Sequence, residues 1–257
     1  MSSLFKYFPA TYIKDENGKE RNYALESIKN NTLWASIPDE FNDLFECAFY
    51  YTEDDIFDFI LLQYPEMIDW IDKARNNWIE RNKIQSDYAN MQDTMECIKK
   101  RFGITCFSQT DIELLMWGHY ANSHKGICIE YDEEKINKCK IVKGYVSYVE
   151  SLLRIKVFTK EALEKAGIAM MFMKSKRWEY EQEVRAIATP VKVGDLGTTW
   201  EAPIPKSIRL GVKADERLKA EIKDLCKEKG IELYQMKKVP GQYAIEKIKI
   251  EIGRAHV

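Results

Sequence analysis

The sequence lacks the short signatures that usually announce a chemistry. It contains no Gly-x-Ser-x-Gly, no P-loop and no Gly-x-Gly-x-x-Gly, so serine hydrolase, nucleoside triphosphatase and dinucleotide-fold readings have no support. Its cysteines (Cys47, Cys97, Cys106, Cys128, Cys139 and Cys226) form no Cys-x-x-Cys pair and none stands at ligand spacing from a histidine. A zinc site is therefore not expected, nor any other metal. No apolar run approaches the roughly 20 residues of a membrane helix, so no membrane partner is expected. The formal net charge is only −2, which argues against a general nucleic-acid binder relying on neutralised phosphates. There is no internal repeat and no low-complexity linker. With no signal peptide at Met1–Tyr12, a reducing cytoplasm is the expected location.

What is present suits an ordinary globular chain: 257 residues, 45% hydrophobic and 31% charged, enough to bury a sizeable core. Leu4–Phe8 reads as an aromatic strand stopped by Pro9, and Arg21–Asn31 as a short helix burying Tyr23, Leu25 and Ile28. Leu33–Ile37 is a strand, followed by a loop, Phe41–Glu46, with aromatic anchors. From about 53 to 101 the pattern turns helical, with Ile56, Phe59, Ile60, Ile68, Ile71, Trp78 and Ile79 inward, which predicts a helical insertion. Strands are expected at Ile104–Ser108, Ile127–Tyr131, Ile141–Tyr148, Ser207–Val212 and Ile231–Met236. Thr110-x-x-Glu113 matches a capping box opening a helix from Asp111 to about Ala121. Thr159 caps another helix to about Lys176, and Asp215–Lys229 is amphipathic. Ala244–Ile252 alternates Ile248, Ile250 and Ile252 against Lys247, Lys249 and Glu251, the mark of a half-exposed edge strand. The simplest organisation is one α+β domain over residues 1–257, a mixed, mostly antiparallel sheet carrying the helical insertion. Glu251–Val257 reads like a translated sequencing adapter, so a different natural C-terminus and a mobile tail at 253–257 are expected.

Chemistry concentrates in two stretches. Ile104–Tyr131 holds Ser108, Trp117, His119, Tyr120 and His124 between two apolar strands. The other stretch, Trp178–Ile187, sorts by parity if extended, placing Glu179, Glu181, Glu183 and Arg185 on one face with neighbours about 6.5–7 Å apart. Crowded carboxylates raise one another's pKa, and Arg185 partly counters that. Such a row can set one ionised carboxylate against a developing cation while another binds a hydroxyl, as glycosidic cleavage requires. The same residues also suit a helix, and a charged strand face is commonly solvated. His119 can serve as general base, donor or helix-end charge. His119 and His124 are five apart, off a common helical face, which disfavours shared metal ligation. Ser108 is either a turn residue or a ligand hydroxyl.

In order, Leu4-Phe5-Lys6-Tyr7, Phe41-Asn42-Asp43-Leu44-Phe45-Glu46, Cys106-Phe107-Ser108, Leu115–Ala121, His124-Lys125-Gly126 and Trp178–Arg185 resemble the bacterial domain-of-unknown-function 2971 family over nearly the whole chain. Leu44 stands where that family tends to have proline. The family implies no activity. A weaker resemblance, to the mono-ADP-ribosyltransferase fold, rests on the aromatic–basic first strand, the strand ending Phe107-Ser108 and the Glu181-x-Glu183 motif. It implies NAD as substrate, with Lys6 or Tyr7 contacting it, Ser108 supporting the site, Glu181 orienting the acceptor and Glu183 stabilising the ribosyl cation. Lys6 stands where arginine or histidine is usual in that fold. Trp117, His119 and Tyr120 are then expected to bind base and ribose, with Arg185 as a further substrate contact. The expected function is an NAD-consuming ADP-ribosyltransferase or NAD glycohydrolase of bacterial defence or toxin type, with an undefined macromolecular acceptor. Its rivals are a non-catalytic nucleotide- or peptide-binding module and a metal-dependent nuclease. The spacing of Glu179, Glu181 and Glu183 does not itself prefer metal to NAD. The NAD reading needs the acidic segment to face the Trp117–Tyr120 corner across one cleft.

Overall fold

The computed structural model describes residues 2–77, 93 and 95–252. The strands that position the site are β1 (Ser3–Phe8), β2 (Thr32–Ser36), β3 (Gly103–Ser108), β4 (Ile127–Asp132), β5 (Val142–Tyr145), β6 (Ser147–Val149), β7 (Met173–Ser175), β8 (Glu183–Ala188), β9 (Gly197–Glu201), β10 (Ser207–Leu210), β11 (Glu232–Lys238) and β12 (Ile245–Ile250). The helices referred to below are α1 (Tyr23–Asn30), α2 (Glu53–Gln63), α3 (Ile68–Asn76), α4 (Leu114–Tyr120), α5 (Lys160–Met170) and α6 (Glu216–Lys229). A ten-stranded sheet runs β9-β2-β3-β1-β4-β10-β11-β12, with β8 also on β3 and β5 beyond it. Its pairings are antiparallel except β10 with β11, a parallel pair whose crossover is α6. The fold is α+β with a mixed, mostly antiparallel sheet.

Register sorts the side chains. Glu183 lies opposite Ser108, Arg185 opposite Cys106 and Phe5 opposite Ser108, so these residues share one face. The other face (Leu4, Phe107, Ile129, Val184, Ala186) packs against Ala24 and Ile28 of α1 and Leu218, Ile222 and Cys226 of α6. On the first face the apolar packing divides in two. Ile104 and Ile187 join Ile56, Phe57, Ile71 and Leu163 on one side, while Phe5 and Tyr7 join Met116, Trp117 and Met236 on the other. Between these clusters lies the strip of Ser108, Glu183 and Arg185. Beside it β3 touches β1 at Phe5↔Ser108 and β2 at Ser36↔Ile104, so the two strands diverge on either side of Cys106.

Several local expectations need correction. Helix α1 begins at Tyr23, capped by Asn22, and buries Ala24 and Ile28; Tyr23 is 56% exposed rather than inward. The Thr110 capping box does not form. Glu113 caps α4, accepting from the Leu115 N–H at 3.1 Å, and the helix opens three residues later than Asp111. Helix α5 stops at Met170 because β7 follows at Met173, well short of Lys176. Trp178–Ile187 is not one extended ribbon: Lys176–Glu181 is a 3-10 helix, Gln182 is left-handed at φ 43°, and only then does β8 begin. The turn is held from outside, since Ser108 Oγ donates to the Glu181 carbonyl at 2.6 Å and Gln109 N–H to the Gln182 carbonyl at 3.0 Å. Helices α2 and α3 occupy the start of the expected insertion. Its middle, residues 78–92 with Trp78 and Ile79, lies outside the described residues, as does the tail at 253–257, while 95–99 is again helical. Among the described residues no helix is long and apolar enough to cross a membrane.

Candidate active site

The left-handed residue Gln182 decides the geometry. In a regular strand Glu181 and Glu183 would point away side by side; the turn instead brings both carboxylates to one ammonium. Lys174, the middle residue of β7, donates to Glu181 Oε2 and, at 3.2 Å, to Glu183 Oε2. The Tyr120 hydroxyl, at the end of α4, donates to Glu181 Oε1 at 2.5 Å. Behind Glu183, Arg185 Nε donates to Glu183 Oε1 at 2.9 Å and Nη2 to Oε2 at 3.2 Å. The same guanidinium reaches Glu46 through Nη1 to Oε1 at 2.6 Å and Nη2 to Oε2 at 3.0 Å, and Nη1 also donates to the Met171 carbonyl at 2.7 Å. Tyr148 accepts the Glu183 N–H at 2.7 Å. Lys174 sits 4.9 Å from the Trp178 ring centroid.

All five charged members are buried, Arg185 completely. Burying charge is unfavourable unless it is paired and hydrogen-bonded, and here the pairs interlock. With Glu46, Glu181 and Glu183 against Lys174 and Arg185, the fully ionised cluster carries one net negative charge. That surplus falls unequally. Burial pushes the Glu183 carboxyl up, but Arg185 and then Lys174 overcome it and hold its pKa at about 2. For Glu181 burial wins: its carboxyl is raised despite Lys174 and Tyr120, with the Glu183 charge adding to the rise. Burial lowers the Lys174 pKa, yet Glu183 and Glu181 together leave it raised. The Tyr120 phenol and the Cys106 thiol are pushed up mainly by burial.

The cluster opens onto a cavity. A smaller compartment of about 350 Å³ is lined by Glu181, Glu183, Lys174, Ser108, His119 and Asn42, among others. It adjoins a larger one of about 900 Å³, and the two share Lys6, Tyr7, Phe41, Cys106 and Tyr120. Both volumes lie in the range of small-molecule sites. The larger compartment occupies the gap where β1 and β2 diverge.

Of the residues singled out in the sequence, Lys6, Tyr7, Ser108, His119, Tyr120, Glu181 and Glu183 line this cavity. Ser108 spends its hydroxyl on the turn, donating to the Glu181 carbonyl and accepting from Thr110 N–H at 3.2 Å. Arg185 lies beneath Glu183, fully buried, and reaches no compartment, so the expectation of a substrate contact there is corrected. Trp117 is corrected likewise. Its indole N–H is donated to the Asp111 carbonyl at 2.8 Å and its ring meets Tyr7 edge-on at 5.4 Å, making it core beneath the cleft. Glu179 is exposed and takes no part. Sequence reasoning missed Glu46, Lys174, Tyr148 and Asn42. Lys174 had a signal: it is the first charge after the apolar Met170–Met173 run, where an interior charge demands a partner. Among the described residues no group of three or more His, Cys, Asp or Glu is placed to hold a metal ion.

No curated protein and no solved structure matches the chain. Residues 116–186 match a protein-family model described as a protein of unknown function, DUF2971. The resemblance to the domain-of-unknown-function 2971 family thus holds over the segment from α4 into β8, which carries Tyr120, Lys174, Glu181, Glu183 and Arg185.

Proposed function

We propose that the protein cleaves the N-glycosidic bond of NAD, releasing nicotinamide and passing the ADP-ribosyl group to water or to an acceptor. The observation that carries this reading is a pair of adjacent carboxyls on one cavity whose surroundings push their proton affinities in opposite directions. Glu183, anionic down to about pH 2, supplies fixed negative charge where an oxocarbenium ion develops. Glu181, raised, is suited to exchange a proton during turnover. The C1′–N bond breaks with its electron pair leaving on the nicotinamide nitrogen, which becomes neutral. The attacking oxygen bonds to C1′ and gives its proton to Glu181. Tyr120 and Lys174 hold that carboxyl in orientation. The net negative charge of the ionised cluster favours a cationic nicotinamide ring over a neutral one. In a cell such an enzyme drains NAD, the behaviour of a defence or toxin-type effector.

The test is incubation with NAD and chromatographic detection of nicotinamide. Glu183→Gln should lower turnover on the order of 10²–10³-fold, the usual loss when a group stabilising transition-state charge is removed. Glu181→Gln should suppress transfer to an acceptor more than hydrolysis. Full turnover by the Glu183 variant overturns the assignment. Thermal stabilisation by NAD with no released nicotinamide would instead make the protein a binding module.

A further inference from the structure

Helix α1 packs onto the sheet through Ala24 and Ile28 and turns its polar face, Tyr23, Glu26, Ser27 and Asn30, onto the larger compartment. These positions are spaced i, i+3, i+4 and i+7, one continuous helical stripe. Such a stripe ordinarily faces bulk water; here it is a cavity wall. Trp34 of β2 lines the same compartment and is 50% exposed, its cross-strand neighbour being Thr199 of β9. Gly197 lets the indole lie against the β9 backbone, since a Cβ there would come within 2.6 Å of the ring. Two large rings, Tyr23 and Trp34, are thus held half open on the wall of a cavity of about 900 Å³.

Charge narrows the choice of occupant. Arg21 is already committed, its Nε donating to Glu26 at 2.9 Å while the guanidinium lies over the Tyr23 ring at 5.0 Å, so this pair adds no net charge. Lys6 differs. It lines both compartments, has no carboxylate partner among the described residues, and sits 5.7 Å from the Phe8 ring centroid. A ligand running from the ring-lined compartment to the carboxylates passes this cation midway, which matches an anionic linker between two ring-bearing ends.

We infer that the larger compartment is a nucleoside-diphosphate site, with the base stacked on Trp34 or Tyr23 and the phosphates at Lys6. It makes the cleft selective for dinucleotides over mononucleotides. The ligand class rests on the NAD reading above; the site itself is tested without turnover. Calorimetry with ADP, adenosine and nicotinamide mononucleotide on the wild type, Trp34→Ala, Tyr23→Ala and Lys6→Gln gives the test. ADP should bind the wild type, and at least one aromatic variant should weaken it about tenfold, the scale of a lost base–aromatic stack. Nicotinamide mononucleotide should change less than about twofold in the aromatic variants, a difference inside ordinary surface-mutation noise. Lys6→Gln should weaken ADP but not adenosine. Absence of ADP binding to the wild type, or ADP affinity unchanged in both aromatic variants, overturns the inference. If ADP behaves as expected and NAD is not cleaved, the site stands and the glycosidic reading falls. NAD cleavage with ADP indifferent to both rings means the reverse.

Discussion

Replacing Arg185 with methionine is the sharpest test of how the buried cluster is held. The substitution keeps most of the apolar stem and removes five donor contacts: two to Glu183, two to Glu46 and one to the Met171 carbonyl. Glu183 retains Lys174, whereas Glu46 loses the guanidinium that neutralises it. Adding hydrogen bonds to charged groups at about 1.5–3 kcal/mol each would overshoot, because the five contacts share one guanidinium and are not independent. The appropriate scale is that of breaking a buried ion pair, about 3–5 kcal/mol, against the roughly 5–15 kcal/mol of a typical domain. Urea unfolding followed by circular dichroism should show this as a lower midpoint with little change in slope. Adding Glu46→Gln to Arg185→Met should cost less than the sum of the two single changes, since the second change relieves the charge stranded by the first. A single-variant loss under about 1 kcal/mol, or strict additivity, would refute the claim that these charges form one unit.

Two further outcomes follow from the same electrostatics. Lys174→Met removes the cation shared by Glu181 and Glu183, so both carboxyls should titrate at higher pH; the acidic limb of any NAD-turnover profile should move up, and Lys174→Arg should restore it. Stability against acid should fall in a definite window: Glu183, Glu130 and Glu133 each sit at about 2 in the folded chain against 4.5 for the free side chain. Depressed carboxyls contribute stability above 4.5 that is lost as pH falls towards 2, and unfolding free energies measured across that range in Glu130→Gln should show a shallower slope than the wild type. Glu181, raised instead, acts in the opposite sense: its contribution is full below 4.5 and is lost as pH rises through its folded value.

Local pattern carried much of the architecture. The aromatic run stopped by Pro9 marked β1, alternation marked β4 and the edge strand β12, and amphipathic spacing marked α6, because each depends on neighbours a few residues away. The same logic failed where a distant contact competed with it. Trp178–Glu181 could be helix or strand by composition, and the contest was settled by Ser108, 73 residues away, binding the Glu181 carbonyl. Trp117 looked like a ligand platform because an indole suits both cleft and core, and only its buried position separates them.

By itself the sequence determined which residue types were available: the Glu181–Glu183 pair, the His119–Tyr120 corner, the basic first strand, and an α+β order of elements. Tertiary structure alone decided their chemistry. Glu46 meets Arg185 across 139 residues and Lys174 falls between two glutamates, so one carboxyl is pushed down and its neighbour up. The reason is physical: proton affinity is set by burial and by charges within a few ångströms, and those distances belong to the folded chain and not to spacing along it.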